Sequence, residues 1–394
     1  MVFNTWSVYV VPVCDSLGAS TGSFASYVSI VYLFSAIAAP FAGSLVQKYD
    51  VRIVYTIAVG MCAAGMGACS FYTEVWQFYV SGAIEGAGVV VIVSLMAPVL
   101  VTRWYNKHTG LIMGLCAAMM GAGGAVWSMV AGVLLRDYGW QTGYFVFGVI
   151  AAIPMLLTVF CVRSNPSDVG LHPYGAVESA ASVDLPQEGI SSKDAFRMPA
   201  FYLLALTIGL TNGAAMVGNY LAKYVYHLAD IGTLLAPASE VIIMASIIAM
   251  CVQVSQACAK VGLGFIADRS STMAFILAYG CSLTGILLCW QGAGISTGFV
   301  YGGAVLIGVL YGTTNSLGPS VTRNLFGSRD YSIIYSRIAV VVNLIPVAFI
   351  PFFAFLADLS WDLLFGASAV IVALIFACSR ATIYFGKRIT RTGA

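Results

Sequence analysis

Apolar runs of about 20 residues follow one another along almost the entire chain, and no other feature of the sequence restricts its fold as tightly. A hydrocarbon core ~30 Å thick is crossed by about 20 helical residues at 1.5 Å each, so each run has the length of a membrane span. Their repetition rules out a signal peptide. Lipid offers the backbone no hydrogen-bond partner, which makes helix the default conformation. Hydrophobic residues make up 60% of the chain and charged residues 9%, against roughly a quarter charged in a soluble domain. That composition cannot build a water-facing surface, and a net charge of +2 gives no basis for nucleic-acid binding.

Charged or turn-rich breaks divide the chain into twelve predicted spans. The first six are residues 2–13, a short one, then 23–46, 53–72, 75–101, 110–135 and 142–162. The second six are residues 200–224, 239–267, 272–290, 298–317, 331–356 and 361–384. Between the sets lies the one long polar segment, Arg163 to Arg197, with the turn and linker composition of Asn165-Pro166-Ser167-Asp168 and Leu185-Pro186-Gln187-Glu188-Gly189. The expected organisation is an N-terminal six-helix half at 1–163, a linker at 164–197 and a C-terminal six-helix half at 198–394.

Lysine and arginine in the short loops set the orientation. Lys48, Arg52, Arg103, Arg163, Arg269, Arg323 and the basic tail share one side with the linker, whereas Arg136 and Lys223 stand on the other. The linker and C-terminus are therefore expected in the cytoplasm, with the chain in the plasma membrane. An internal repeat is also visible. Gly43-Ser44-Leu45 and Gly264-Phe265-Ile266 lie 221 apart, Val101-Thr102-Arg103 and Val321-Thr322-Arg323 lie 220 apart, and Pro98 and Pro319 lie 221 apart. Subtracting about 220 from the start of the seventh span places the start of the first before Met1. The first helix is thus expected to be truncated, or to begin at an internal start codon.

The ten cysteines sit mostly within apolar runs and lack metal-ligand spacing, so they read as small packing residues. His108, His172 and His227 fall in or beside different loops. Neither a metal nor a cofactor is expected, and no nucleophile and base constellation points to an enzyme.

Six plus six helices, a cytoplasmic central loop and glycine-led motifs after the second and eighth spans resemble the major facilitator superfamily. Gly264, Ile266, Asp268 and Arg269 match its signature; the first copy keeps Gly43, Lys48 and Arg52 but has Gln47 where the Asp belongs. Within the superfamily, Arg103-Trp104-Tyr105, Gly110 and the glycines Gly114, Gly121, Gly123 and Gly124 resemble the oxalate/formate antiporter family, with monocarboxylate carriers close behind. Trp6, Pro12, Leu17-Gly18, Gly318-Pro319-Ser320 and Phe326-Gly327 fit the same pattern. The resemblance implies an all-α membrane protein of the major facilitator fold, with a cavity between the two pseudo-repeat halves.

Glu85, Glu240, Lys260 and Arg337 are ionisable residues within predicted spans, where a charge costs about 2.5 to 3.5 kcal/mol even on lenient scales and therefore signals function. Lys260 and Arg337 lie at similar depth and would form a paired positive site for a small mono- or dicarboxylate. Snorkelling to the headgroups is the alternative for both. The resemblance favours Lys260, at a position where family members carry a substrate-binding Arg. Arg337 is one residue earlier than the family's Lys, a rotation of about 100° that can aim it beside the cavity. Lys in place of Arg also replaces a planar fork with a point charge, so oxalate specificity does not follow.

Trp127, Tyr27, Tyr311 and Tyr335 are candidates to border the cavity, as are Asn4, Asn212 and Asn315; helix packing or bonding to a neighbouring helix is the alternative for each. Glu85, within Gly82-Ala83-Ile84-Glu85-Gly86, is either a proton-coupling residue or an acid bonded to its surroundings, and Glu240 reads as interfacial. The expected function is secondary active transport of a small organic anion by alternating access, as antiport or proton symport, by a monomer. Two alternatives stay open: a non-transporting sensor or scaffold, and a carrier for a non-carboxylate solute.

Overall fold

A computed structural model describes residues 2–105, 109–175, 190–234, 236–327 and 330–392. Twelve helical segments cross the molecule among them. In the first half these are α1 (Val2–Leu17), α2 (Thr21–Lys48), α3 (Val51–Cys69) and α4, whose α-helical Val75–Val90 passes through a π-helical stretch, Val91–Met96, into Ala97–Trp104. The continuous Thr109–Cys161 bends at Gly139 into two arms, α5 and α6. In the second half α7 runs as Pro199–Ala215, a 3-10 stretch Met216–Tyr220 and Leu221–Asp230. It is followed by α8 (Ala238–Arg269), α9 (Ser271–Gly292), α10 (Thr297–Phe326), α11 (Tyr331–Leu359) and α12 (Trp361–Thr392).

Ten stretches among the described residues are long and apolar enough to cross a membrane. One of them, Ala118–Cys161, holds 44 residues and supplies two crossings; α1, with 16 residues, is the shortest of the twelve helical segments and is not among the ten. The sequence reading expected a loop between residues 135 and 142. The structure instead turns the chain on a single residue, Gly139, whose φ of 81° lies in the left-handed region that glycine enters freely. Of the linker, Pro166–Val169 forms a short 3-10 turn and Ser192–Ala195 one helical turn; the Leu185 to Gly189 run lies outside the described residues.

The helices meet through glycines that let one backbone approach another, the usual device where lipid removes the hydrophobic drive between helices. A side-chain carbon on Gly86 of α4 would come within 2.5 Å of the Val31 carbonyl oxygen of α2. A carbon on Gly308 of α10 would meet the Val252 carbonyl oxygen of α8 at the same 2.5 Å. The two glycines are 222 apart and the two valines 221, so the repeat read from the sequence recurs as a matching three-dimensional contact. Between the halves, Gly121 of α5 abuts Ala257 of α8 and Gly132 abuts Ser246, while α2 packs on α11.

The two bundles are not equally filled. In the second, Pro199–Ala215 of α7 packs into the bundle: Thr211 shares a hydrogen bond of 2.8 Å with Tyr279 of α9, and Thr207 one of 3.3 Å with Thr382 of α12. Gly209 and Gly213 of the same stretch lie against Val341, Ile345 and Phe349 of α11. In the first, α3, α4, α5 and α6 enclose an apolar groove of about 560 Å³, lined among others by Val59, Ile92, Met119, Gly123, Trp127 and Ile153.

Candidate functional site

Lys260 is placed by the pattern of α8. Val254, Cys258, Val261 and Phe265, spaced 4, 3 and 4, form its exposed stripe. Lys260, one residue before Val261 and two beyond Cys258, is turned about 130° from the middle of that stripe, toward the interior. It is half-buried, nine residues from Arg269 at the helix end, or about 13 Å. Gly312 of α10 holds its backbone in place: a side-chain carbon there would sit 3.1 Å from the Lys260 nitrogen, and Ser316 Oγ donates to the Lys260 carbonyl at 2.9 Å. Among the described residues no carboxylate lies within ion-pair range of the Lys260 ammonium.

Arg337 does not join it on the interior face. It belongs to the exposed stripe of α11 with Ile333, Val340 and Leu344, again spaced 4, 3 and 4, opposite the buried Ile334 and Ile338. The expected pair of cations is thus one half-buried lysine and one exposed arginine, with no contact between them among the described residues.

Tyr311 is half-buried on α10, where Asn219 Nδ2 of α7 donates to its hydroxyl and the hydroxyl contacts Met216 Sδ at 3.6 Å. It packs on Gly218, so its seat is the 3-10 stretch of α7. Asn219 escaped the sequence reading, although an amide within an apolar span is the kind of signal that marks Asn212. Tyr335, half-buried, lies 3.7 Å from a side-chain carbon placed on Gly318 of α10. Asn212 takes the second of its two expected roles: its Nδ2 donates to the Val342 carbonyl of α11 at 2.8 Å. The side chains of Asn4 and Asn315 lie outside the described set.

Trp127, expected at the cavity, instead lines the apolar groove of the first half and meets Phe147 edge to face at 5.9 Å. Tyr27 likewise turns into its own bundle. It is fully buried and its hydroxyl donates to Glu85 Oε2. Glu85 has no exposed surface, and Gly65 of α3 leaves it room, since a carbon there would meet Glu85 Cγ at 2.5 Å. Its Oε1 is buried without a partner among the described residues. The partnership spans 58 positions of sequence, which no spacing argument reveals. Glu240 is exposed in the first turn of α8.

At the helix ends facing the linker, Arg269 lies exposed with its guanidinium 4.6 Å over the Phe265 ring, and Gly264 has open space beside it. Gly43 lies within α2, while the side chains of Gln47 and Asp268 lie outside the described set. Arg52 opens α3 behind Asp50, whose Oδ1 accepts the Arg52 amide at 2.8 Å and the Ser164 hydroxyl at 2.5 Å. The Ser164 bond, then the amide, hold the Asp50 carboxyl below the usual carboxylate range.

On the opposite face a polar vestibule of about 450 Å³ is lined by Cys14, Asp15, Lys223, Tyr226, Asp230 and Asp358, among others. Lys223 donates to Thr21 Oγ1 of the first half at 2.7 Å and pairs with Asp358 at 2.5 Å, joining the halves there. Deeper, Trp6 of α1 and Tyr220 of α7 meet edge to face at 5.9 Å.

Known proteins resemble this chain in sequence or in fold. The chain is 24% identical over 217 residues to the oxalate:formate antiporter of Oxalobacter formigenes, a match covering 55% of this chain and 50% of that protein. It is 34% identical over 142 residues to the multidrug resistance protein MdtG of Salmonella choleraesuis, covering 35% of this chain and 34% of that one. The chain thus spans half or less of the length of these relatives. The solved structure of the nucleoside transporter NupG superposes with a TM-score of 0.68 at 12% identity, covering 96% of this chain and 95% of that one, which is a likeness of fold. The family model of the Major Facilitator Superfamily matches residues 1–251. On that match and this twelve-helix fold, the chain belongs to the major facilitator superfamily.

Proposed function

We propose that the chain is a secondary carrier that moves a small organic anion, a mono- or dicarboxylate, between its two halves, with Lys260 as the electrostatic anchor. The observation that carries this reading is a lysine held about 13 Å inside a span, turned to the interior and without a carboxylate partner among the described residues. A cation left alone in a low-dielectric medium is costly, and a carboxylate substrate compensates it when bound. Tyr311, Tyr335 and Asn219 add polar groups from α10, α11 and α7. The similarity to an oxalate:formate antiporter supports an anion; the similarities to MdtG and NupG make other solutes the competing readings. Lysine and arginine in the loops favour an orientation with the linker in the cytoplasm.

The test is uptake of labelled oxalate, formate, lactate, pyruvate and malonate into proteoliposomes. Lys260→Ala should lower uptake of the transported anion tenfold or more, a loss of about 1.4 kcal/mol or greater in transition-state binding, while Lys260→Arg keeps part of it. Normal transport by Lys260→Ala would sink the anchor. Binding without flux would instead favour a sensor.

Proton symport is the second reading, carried by Glu85 and its unpartnered Oε1. Stimulation by substrate on the far side with no response to a pH gradient favours exchange. Loss of uptake when the gradient is collapsed, together with loss of that response in Glu85→Gln, favours symport.

A further inference from the structure

The buried face of α4 carries Phe78, Ser81, Gly82 and Glu85, which puts Ser81 one turn, about 6 Å, before Glu85 on the same side. Because α3 begins at Val51, beside the linker contact of Asp50 and Ser164, it ends at the face opposite the linker, where α4 starts. Ser81 and Glu85 therefore lie about 9 and 15 Å inward from Val75. Tyr72, half-buried in the turn between α3 and α4, shares a hydrogen bond of 2.6 Å with Ser81 Oγ. Ser81 Oγ donates in turn to the Gly65 carbonyl at 3.1 Å. Glu85 lies over the same glycine: a side-chain carbon on Gly65 would stand 2.9 Å from Oε1, the oxygen left without a partner. On the reading of Glu85 as a proton carrier, on which this inference rests, we propose that Tyr72 and Ser81 form its proton entrance, opening on the face opposite the linker and separate from the path between the halves.

A carboxyl among apolar helices changes its charge only where exchangeable hydrogens reach it. Among the described residues the titratable groups around Glu85 are Tyr27 of α2, Cys62 and Cys69 of α3, Tyr72 beyond it and Tyr144 of α6, none of them a charged side chain. Tyr27 holds Oε2 but is itself buried against Phe24 and Phe78. The Tyr144 hydroxyl is buried with no bond that continues a chain among the described residues. Tyr72 is the member that reaches the surface. A proton from bulk water arrives at Tyr72 Oη as Tyr72 passes its own to Ser81 Oγ. Ser81 turns its hydrogen from the Gly65 carbonyl to a bridging water, which passes one of its own to Glu85 Oε1. That water has Ser81 Oγ, Glu85 Oε1 and the buried Cys69 thiol beside Ser81 as polar partners. Each hydroxyl and the water gains one proton and loses one, so Glu85 alone changes charge, from carboxylate to acid.

The experiment transfers the chain in nanodiscs to heavy water and follows the carboxylic C=O band of Glu85, identified by its loss in Glu85→Gln, by infrared spectroscopy. Ser81→Ala and Tyr72→Phe, which keeps its ring on Phe78, should each slow deuterium exchange of that band tenfold or more. A loosened bundle would speed exchange, so slowing is not a packing effect. Tyr144→Phe should leave the rate within twofold. An unchanged rate in either Ser81→Ala or Tyr72→Phe overturns the entrance and leaves Glu85 a proton carrier. Slowing by Tyr144→Phe alone also overturns it, and assigns access to α6. Absence at every pH of a band that Glu85→Gln removes overturns the proton-carrier reading itself, and the entrance with it.

Discussion

The two halves repeat each other's backbone and invert each other's chemistry. Gly86 against Val31 and Gly308 against Val252 are the same contact made twice. One residue before each glycine, the halves part: Glu85 bonded by Tyr27 in the first becomes Ile307 in the second, and Tyr27 itself becomes Ile248, both isoleucines buried. Conversely, Lys260 of α8 corresponds to Ala39 of α2, at the 221 offset of the valines. A buried acid therefore belongs to one bundle and an interior cation to the other. A duplicated scaffold tolerates this because backbone contacts set the helix spacing, leaving the adjacent side chains free to diverge.

The sharpest way to break this comparison is through the shared contact. Gly86→Leu and Gly308→Leu each place carbon against a backbone carbonyl that cannot yield, and each should cost about 3 kcal/mol, measured by unfolding in detergent. A large inequality between them would show that the halves are not packed alike. The divergent pair comes next. Tyr27→Phe strands a second carboxyl oxygen and should cost about 1 to 3 kcal/mol. Replacing both partners by isoleucine, as in the second half, should recover most of that loss, since removing both members of a buried polar pair can be nearly neutral. Additive losses would mean that the first bundle depends on the acid for more than packing.

The Lys223 connection between halves is partly exposed, and such pairs contribute about 0 to 1 kcal/mol. Lys223→Ala should raise Cys14 reactivity in the vestibule by a factor of no more than about 5. An unchanged rate would show that α1 and α7 hold that face shut without it. The smallest effect concerns Asp50 and Ser164, which tie the linker to the first half. Because the folded carboxyl titrates below its unfolded value, the contribution is present at neutral pH and is lost as pH falls through the folded value. Ser164→Ala should remove part of this acid sensitivity, seen in the pH dependence of proteolysis at the linker.

The spans and their repeat were legible because bilayer thickness writes itself into the sequence as run length, and because glycines at a helix contact cannot drift without moving the helix. Lys260 was legible as a charge where charge is costly. The pairing of Tyr27 with Glu85 was not, since the rotation of two helices 58 residues apart decides it. Nor was the facing of Trp127: span membership gives its depth, whereas a turn of about 100° per residue decides between cavity and groove. Arg337 shows the same sensitivity: it stands on an exposed stripe while the next residue, Ile338, is buried. The joint at Gly139 was missed because polar residues on both sides of it read as a loop.

The 3-10 stretch of α7 has a mechanical consequence. Five residues, Met216–Tyr220, are wound at three per turn, which makes the segment about 2.5 Å longer than an α-helix of equal length and overwound by about 100°. Relaxation to α-helical winding would act as a short screw, drawing Leu221–Asp230 inward and turning Lys223 away from Thr21. In the same motion Asn219 would swing off Tyr311, coupling the Lys223 contact between the halves to the Tyr311 hydroxyl through a change of pitch within one helix.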